Sequence, residues 1–184
     1  EILDKYKIPN EVKPSNVDED PVKNSLIKEK AKPEIISKNL AELKANKVSS
    51  VQENQMVLGA DSVIDLEGEL ISKPENREEA LAILKKLNGK KHHLISSVCV
   101  ACNNEILWDV TDSVNLTMRT LSDEFIQSYL AKSGPDILST VGGYQLEGLG
   151  AQLFSRLEGD FFTVLGLPLL PLLDFLRKEK ILNT

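Results

Sequence analysis

Residues 92–118 read HHLISSVCVACNNEILWDVTDSVNLTM and predict a long β-hairpin. The segments 92–101 and 105–118 are rich in residues that favour strands, and the pair Asn103-Asn104 between them is typical of a turn. Two strands of this length place a sheet in the middle of the chain. Helices or further strands elsewhere in the sequence must cover that sheet to bury its apolar faces.

Outside the hairpin, helical and strand patterns alternate along the chain. Helices are predicted at residues 34–47, 75–87, 122–131 and 168–180, and shorter strands at residues 56–64, 151–156 and 161–165. Residues 1–32 are charged and weakly patterned, which is typical of a solvated loop that leads into a helix. Because the elements alternate without a strict β-α-β rhythm, we expect an α/β fold with a mixed sheet flanked by helices.

Composition is that of a globular domain with an acidic surface. The chain has 184 residues, of which 41% are hydrophobic and 27% are charged, enough for one domain with a core. The formal net charge of −6 disfavours a nucleic-acid partner, because non-specific binding to nucleic acid depends on a basic surface. The longest apolar run, residues 165–173, is too short to cross a bilayer and contains two prolines, so we expect no membrane partner.

Cys99 and Cys102 form a CxxC pair inside an apolar run. Strand alternation would place the two side chains on opposite faces of the sheet, and neither a second CxxC nor clustered histidines accompany them. We interpret them as buried structural cysteines in preference to a metal or redox pair. Nothing in the sequence indicates a disulfide, so we expect a reducing compartment and a cytoplasmic location.

One acidic residue, Glu147, stands in the glycine-rich run GGYQLEGLG at residues 142–150. Glycine allows positive φ and lets the backbone approach a ligand closely. A carboxylate held in such a loop is either an ordinary surface turn residue or a group that contacts a ligand. The loop alone leaves both interpretations open.

Four further residues have side chains suited to phosphate chemistry. Asp61 follows Gly59-Ala60 at the end of a predicted strand, where α/β folds bind ligands, although a carboxylate there can also cap a turn. Lys73 and Lys44 could neutralise phosphates, and Glu19 could bind a hard cation, but each alone is as well explained as a surface residue.

As a set, these residues are suited to cleaving a phosphoanhydride bond. Acidic side chains bind Mg²⁺ or Mn²⁺ through oxygen, lysines neutralise phosphates, and a carboxylate can orient an attacking water molecule. The sequence contains no GxxxxGK[ST] motif, so it is not that of a P-loop enzyme. It contains neither G-x-S-x-G nor H-E-x-x-H, the signatures of two other hydrolase classes.

Over nearly its whole length the sequence resembles the Maf family of nucleoside triphosphate pyrophosphatases, once described as septum-formation inhibitors. Each shared motif is short, but their order and spacing together are highly specific. The motifs are Leu40-Ala41-x-x-Lys44-Ala45, Gly59-Ala60-Asp61, Lys73-Pro74, Leu87-Asn88-Gly89-x-x-His92, Leu121-Ser122-Asp123-Glu124-x-Ile126-x-x-Tyr129, Gly142-x-Tyr144-x-x-Glu147-Gly148, Glu158-Gly159-Asp160 and Val164-x-Gly166-Leu167-Pro168.

The resemblance implies a fold, a reaction and roles for the candidate residues. The fold would be elongated, with a cleft between two lobes, often dimeric, and residues 1–184 would form a single domain. The reaction would be hydrolysis of a nucleoside triphosphate to a monophosphate and diphosphate with Mg²⁺ or Mn²⁺. Asp61 would accept the proton, with Lys44 and Lys73 as the family's lysines. Asp61 and Glu19 would hold the metal.

Base choice in the family is tuned by the residue after the aspartate and by the residue before the last motif glycine, which here are Ser62 and Glu147. Many members carry Gln-Gly where this chain has Glu147-Gly148, and Glu-Gly-Leu-Gly resembles the branch acting on 7-methyl-GTP. A carboxylate accepts hydrogen bonds from two adjacent N–H groups, as on guanine N1 and N2. Ser62 is neither the Thr nor the Gln expected, so base choice stays open between 7-methyl-GTP and pyrimidine nucleotides.

The family also opens with an apolar strand and a Ser-x-Ser-Pro-Arg-Arg loop that is expected to help bind the triphosphate. This chain begins just after them, at Glu1-Ile2-Leu3, so we expect that strand and loop to be missing from the sequence as given. Two alternatives to an active enzyme therefore stay open. One is a non-catalytic nucleotide-binding regulator of cell division, and the other is an inactive truncated fragment.

Overall fold

The fold is built on a five-stranded sheet, seen in a computed structural model that describes residues 2–183. The strands are β1 (Val57–Leu66), β2 (Glu69–Ile71), β3 (Lys91–Cys102), β4 (Glu105–Met118) and β5 (Phe154–Glu158). Their order across the sheet is β2-β1-β3-β4-β5. The helices are α1 (Ile2–Lys5), α2 (Asp20–Lys28), α3 (Pro33–Ser49), α4 (Arg77–Leu87), α5 (Asp123–Lys132), α6 (Phe161–Val164) and α7 (Leu169–Lys178). The α/β architecture that the sequence predicts is confirmed.

The sheet is antiparallel, which differs from the mixed sheet that we expected. Strand β2 runs antiparallel to β1, with Ile64 opposite Ile71, and β5 runs antiparallel to β4. Strands β3 and β4 are joined by the two-residue turn Asn103-Asn104, whose residues both have positive φ as such hairpins require. Short turns reverse the chain between β1 and β2 and between β3 and β4, whereas a parallel pair would have needed a long crossover.

Side-chain caps explain where the predicted helices begin. The Asn76 side chain accepts a hydrogen bond of 2.8 Å from the N–H of Glu79 at the start of α4. The Ser122 hydroxyl accepts one of 3.2 Å from the N–H of Phe125 at the start of α5. Such caps satisfy N–H groups that have no partner within the helix.

The segment after residue 147 differs from the sequence prediction. Residues Gly148–Leu153 form a 3₁₀ helix, so β5 begins at Phe154, later than the predicted strand at 151–156. The predicted strand at 161–165 is helix α6 instead. There the carboxylate of Asp160 accepts a hydrogen bond of 3.1 Å from the N–H of Thr163, which caps a helical turn.

The chain divides into two compact units. The first comprises Glu1–Asp61, Ser96–Asp112 and Gly166–Thr184, and the second comprises Ser62–Ile95 and Ser113–Leu165. The assignment of the whole chain to one domain stays a prediction. Of the helices within residues 2–183, none combines the length and the apolar character that a bilayer crossing needs.

Each unit has its own apolar packing. In the first unit, Ala41 and Ala45 of α3 pack with Cys99 and Ala101 of β3. Cys99 is buried, which raises the pKa of its thiol to about 12, and both cysteines are free. In the second unit, α4, α5 and the inward faces of the strands form a larger core. Its fully buried members include Ile64, Ala80, Leu84, Leu87, Val114, Leu116, Ile126 and Leu153.

Candidate active site

The glycine of the Gly59-Ala60-Asp61 segment lets strand β1 approach helix α3 closely. A Cβ atom at Gly59 would lie 2.4 Å from the carbonyl oxygen of Ala41 and 2.8 Å from Cβ of Ala45. Ala41 and Ala45 are buried and lie one helical turn apart on the same face. Three small residues therefore bring strand and helix together just before Asp61.

Asp61 is fixed to α3 through its backbone and is largely removed from solvent. Its carbonyl oxygen accepts a hydrogen bond of 2.9 Å from the buried hydroxyl of Ser37. Only 8% of the residue is exposed. A carboxylate in such a position must be compensated by a positive charge or by hydrogen bonds, because burial alone disfavours its charge.

Lys44 on α3 supplies a positive charge at this point. Its Nζ lies 2.6 Å from Oδ1 of Asp61 and 3.1 Å from Oε1 of Glu19. Burial opposes the charged ammonium, but the two carboxylates outweigh it and raise the pKa of Lys44 above its ordinary value. Lys44 is therefore protonated at neutral pH and bridges the two acidic side chains.

Glu19 reaches Lys44 from the beginning of helix α2. It is the N-cap residue of that helix, and its carbonyl oxygen accepts a hydrogen bond of 3.0 Å from the N–H of Lys23. Pro21 stands in the first helical turn, a position where its missing N–H costs nothing. The positive end of the helix dipole also favours an acidic side chain here.

The acidic pair fits the donor chemistry of a divalent cation. Oxygen atoms of Asp61 and Glu19 converge on a single cationic group, and carboxylate oxygens are the ligands that Mg²⁺ and Mn²⁺ prefer. Among residues 2–183, no group of three or more His, Cys, Asp or Glu side chains is arranged to hold a metal. Two carboxylates would supply part of a coordination shell, as is usual for Mg²⁺, which keeps water and takes phosphate oxygens.

A cavity of about 750 Å³ lies beside Lys44 within the same unit. It is lined by residues 56–60 at the beginning of β1, by the segment 8–13 and by apolar residues of α7 such as Leu172 and Leu176. Lys13 and Gln52 also line it and share a hydrogen bond of 2.8 Å. A cavity in this size range can hold a nucleotide-sized ligand. Lys44 joins its wall to Asp61.

The other three predicted site residues belong to the second unit. Ser62 follows Asp61 directly on β1 and is half-buried. Lys73 is exposed in the loop between β2 and α4, and Glu147 is exposed in the segment between Tyr144 and the 3₁₀ helix. The structure thus brings the trio of Asp61, Lys44 and Glu19 into contact, whereas the roles of these other three residues stay predictions.

Sequence reasoning missed Ser37 as a residue that builds the site, and it named Gly59 without finding how that glycine packs. Ser37 does not stand out in the sequence, although it lies seven residues before Lys44 and therefore on the same face of α3. Gly59 is recognisable only as part of a motif, and the motif does not reveal its packing against the helix. The spacing of Ala41 and Ala45 is the signal for it, because two small residues one turn apart permit a close backbone approach.

Comparison with known proteins matches the chain to a described family. A family model described as "Maf-like protein" matches residues 1–179. A protein of Pelagibacter ubique named nucleoside triphosphate pyrophosphatase is 53% identical over 176 residues, covering 96% of this chain and 90% of that protein. A protein of the same name from Ruegeria pomeroyi is 42% identical over 184 residues, covering 100% of this chain and 92% of the relative. One from Caulobacter vibrioides is 45% identical over 161 residues, covering 88% of this chain and 80% of that relative.

Proposed function

The chain belongs to the Maf family, and from that premise we propose that it is an enzyme that hydrolyses a nucleoside triphosphate to a nucleoside monophosphate and diphosphate. The observation that carries the proposal is the buried Asp61 carboxylate held 2.6 Å from Lys44, a residue of a nucleotide-sized cavity wall. The names of the curated relatives support the same reaction.

In this reaction Asp61 takes a proton from a water molecule. The water oxygen forms a bond to the α-phosphorus, the bond from that phosphorus to the bridging oxygen of the β-phosphate breaks, and diphosphate leaves. Lys44 lies beside Asp61 and would offset the negative charge that grows on the phosphate oxygens. Lys73 is exposed and would do the same for the terminal phosphates once substrate is bound.

Asp61 and Glu19 would hold a divalent cation, Mg²⁺ or Mn²⁺. When bound, such a cation supplies charge neutralisation to the phosphate oxygens. The chain's own contribution is to hold the two carboxylates on one point, with Lys44 as the cation between them in this structure. Loading the site would then require Lys44 to shift from the carboxylates toward the phosphates.

The finer proposal is a preference for 7-methyl-GTP. Glu147 is exposed at a glycine-rich loop, where its carboxylate can accept hydrogen bonds from the adjacent N1 and N2 groups of a guanine base. Pyrimidines present no such pair of neighbouring donors. Ser62 is small and half-buried next to Asp61, and would leave room for a large base.

The test is diphosphate release by the full-length protein with Mg²⁺ or Mn²⁺ across 7-methyl-GTP, GTP, dTTP and UTP. Faster cleavage of 7-methyl-GTP supports both the reaction and the role of Glu147. Faster cleavage of the pyrimidine nucleotides supports the reaction and removes the base preference. Binding of nucleotides without release of diphosphate from any of them would replace the enzyme with a nucleotide-binding regulator.

A matched pair of variants tests the role of Asp61. Asp61→Asn keeps the shape of the side chain but removes its charge, and we expect turnover to fall by a factor of about 10³ or more. Asp109→Asn is the control, because Asp109 forms a similar ion pair of 2.8 Å with Lys38. Lys38 lies on α3, the helix that also carries Lys44. Turnover of the Asp61→Asn protein at the level of the control would exclude Asp61 as the base.

We also propose a cytoplasmic location. Its support is that Cys99 and Cys102 are both free thiols, which a reducing compartment maintains. Labelling of intact and lysed cells with a thiol reagent that does not cross membranes would test this. Labelling before lysis would contradict it.

A further inference from the structure

The loop that carries Glu147 closes tightly on its own backbone. A Cβ atom at Gly150 would lie 1.8 Å from the carbonyl oxygen of Gln145, so only glycine allows the two ends to meet. Gly148 has a φ of +82°, and a Cβ atom there would have no other group within 4 Å, which places this residue at the turn. Residues 145–150, called the Glu147 loop below, therefore form a tightly closed loop whose placement depends on its two ends.

The first end of the Glu147 loop is Tyr144, which is anchored in the core of the second unit. Tyr144 is only 4% exposed, and its ring meets the ring of Phe154 edge-on with centroids 4.8 Å apart. The two glycines before it have positive φ, and a Cβ at Gly142 would lie 2.5 Å from Cδ1 of Ile64. The chain just before this tyrosine thus lies directly on the core.

A buried histidine fixes the Tyr144 side chain. Nε2 of His92 on β3 lies 2.9 Å from the hydroxyl oxygen of Tyr144, at hydrogen-bond distance. His92 is fully buried, and the centroids of its ring and the Phe154 ring are 6.0 Å apart. Burial lowers the pKa of His92 to about 4, so the ring is neutral at neutral pH. This pair takes no part in the proposed chemistry.

A second tyrosine, Tyr129, contacts the beginning of the same loop. Tyr129 of α5 is buried and shares a hydrogen bond with the backbone of Gln145, the first residue of the Glu147 loop. The start of the loop is therefore held by the Tyr129 phenol at Gln145 and by the buried Tyr144 directly before it. Because its other end continues into the buried Leu153 and strand β5, the position of the exposed Glu147 is set from inside the unit.

From these contacts we propose that His92 and Tyr144 are positioning residues, which hold the Glu147 loop in the place where Glu147 contacts the nucleotide base. This inference rests on the proposed function. It assigns to a buried pair the control of substrate affinity without any contact between that pair and the substrate. Loss of the hydrogen bond would loosen the loop while leaving Asp61 and Lys44, in the other unit, unchanged.

Tyr144→Phe tests the inference, because it removes the hydroxyl and keeps the ring against Phe154. We expect the KM for the preferred nucleotide to rise about 5-fold while kcat stays within a factor of about 2. His92→Leu should do the same, and His92→Gln, which can still bond the Tyr144 hydroxyl, should restore much of the wild-type KM. Tyr6→Phe, an exposed tyrosine of the other unit, is the matched control.

Ile83→Val separates positioning from general destabilisation. Ile83 lies in the same core on α4, so its shortening loosens packing without touching the His92–Tyr144 bond. A KM that rises equally in Ile83→Val and Tyr144→Phe would overturn the inference, and so would an unchanged KM in Tyr144→Phe with only a lower Tm.

Amide hydrogen exchange provides a readout that does not depend on activity. In Tyr144→Phe we expect exchange in residues 145–150 to accelerate about tenfold, with no comparable change in β3. Equal exchange in the wild type and the variant would overturn the inference. If the wild type releases no diphosphate from any nucleotide, the proposed function fails, while this measurement still decides whether the pair holds the loop.

Discussion

At the scale of single residues, Lys44 determines whether a buried carboxylate is tolerated. Its ammonium contacts both Asp61 and Glu19, and it is only 18% exposed. Replacing it with methionine keeps the length of the side chain but leaves Asp61 buried beside an apolar group. Removal of one partner from a largely buried ion pair is costly, because the other charge then lacks compensation.

We therefore expect Lys44→Met to lower kcat/KM by a factor of about 10² or more and to lower the free energy of unfolding by about 2 kcal/mol. The measurements are diphosphate release and urea unfolding. Lys38→Met is the control, because Lys38 lies on the same helix and pairs with Asp109 at 37% exposure. Exposed pairs contribute about 0–1 kcal/mol, so the control should keep its activity and most of its stability. Equal losses in the two variants would contradict a special role for Lys44.

At the scale of elements, the close approach of β1 to α3 depends on Gly59, which has no side chain. Gly59→Ala would place a methyl group 2.4 Å from the Ala41 carbonyl oxygen, which is backbone and has little freedom to move. We expect a loss of about 2–3 kcal/mol of unfolding free energy, typical of an overpacked core, together with reduced turnover because Asp61 shifts with the strand.

Gly134→Ala provides the comparison for that substitution. Gly134 has a φ of −66°, and a methyl group added to it would have no other group within 4 Å, so the same chemical change there meets no obstacle. Alanine at such a position is expected to be neutral or to stabilise by up to about 1 kcal/mol. Similar urea midpoints for the two alanine variants would show that β1 and α3 can separate freely.

Local signals account for the elements that the sequence predicts well. Helix α4 has a capping asparagine and acids in its first turn, and the β3–β4 hairpin has a turn of two asparagines. The strand prediction at 161–165 is wrong because Phe-Phe-Thr-Val is rich in strand formers, while the cap from Asp160 favours a helix. The sequence shows which residue types the candidate site contains and in what order they occur. The contact between Lys44 and both acids is not readable from it, because it depends on the packing of α3 against β1.

At the scale of the whole molecule, the stability of the fold depends on pH through the buried His92. Burial lowers its pKa to about 4 from the ordinary 6.5, with His93 as a smaller cause. Between these two pH values the unfolded chain binds a proton that the folded chain does not. The free energy of unfolding therefore falls as pH decreases from 6.5 to about 4, and it is unaffected by this group above pH 6.5.

Between pH 6.5 and about 4, this group lowers the free energy of unfolding by on the order of 3 kcal/mol in total. Urea unfolding at closely spaced pH values should show this decline in the wild type and a much flatter profile in His92→Gln, which carries no titrating ring. His93→Gln is the control, because His93 is exposed and is only the smaller cause of the lowered pKa of His92. Its replacement leaves the buried ring in place, so most of the decline should persist. Carboxylates with lowered pKa, such as Glu158, also weaken the fold in acid, but they act equally in all three proteins. A His92→Gln profile parallel to that of the wild type would show that the ring takes up its proton as readily in the folded chain as in the unfolded one.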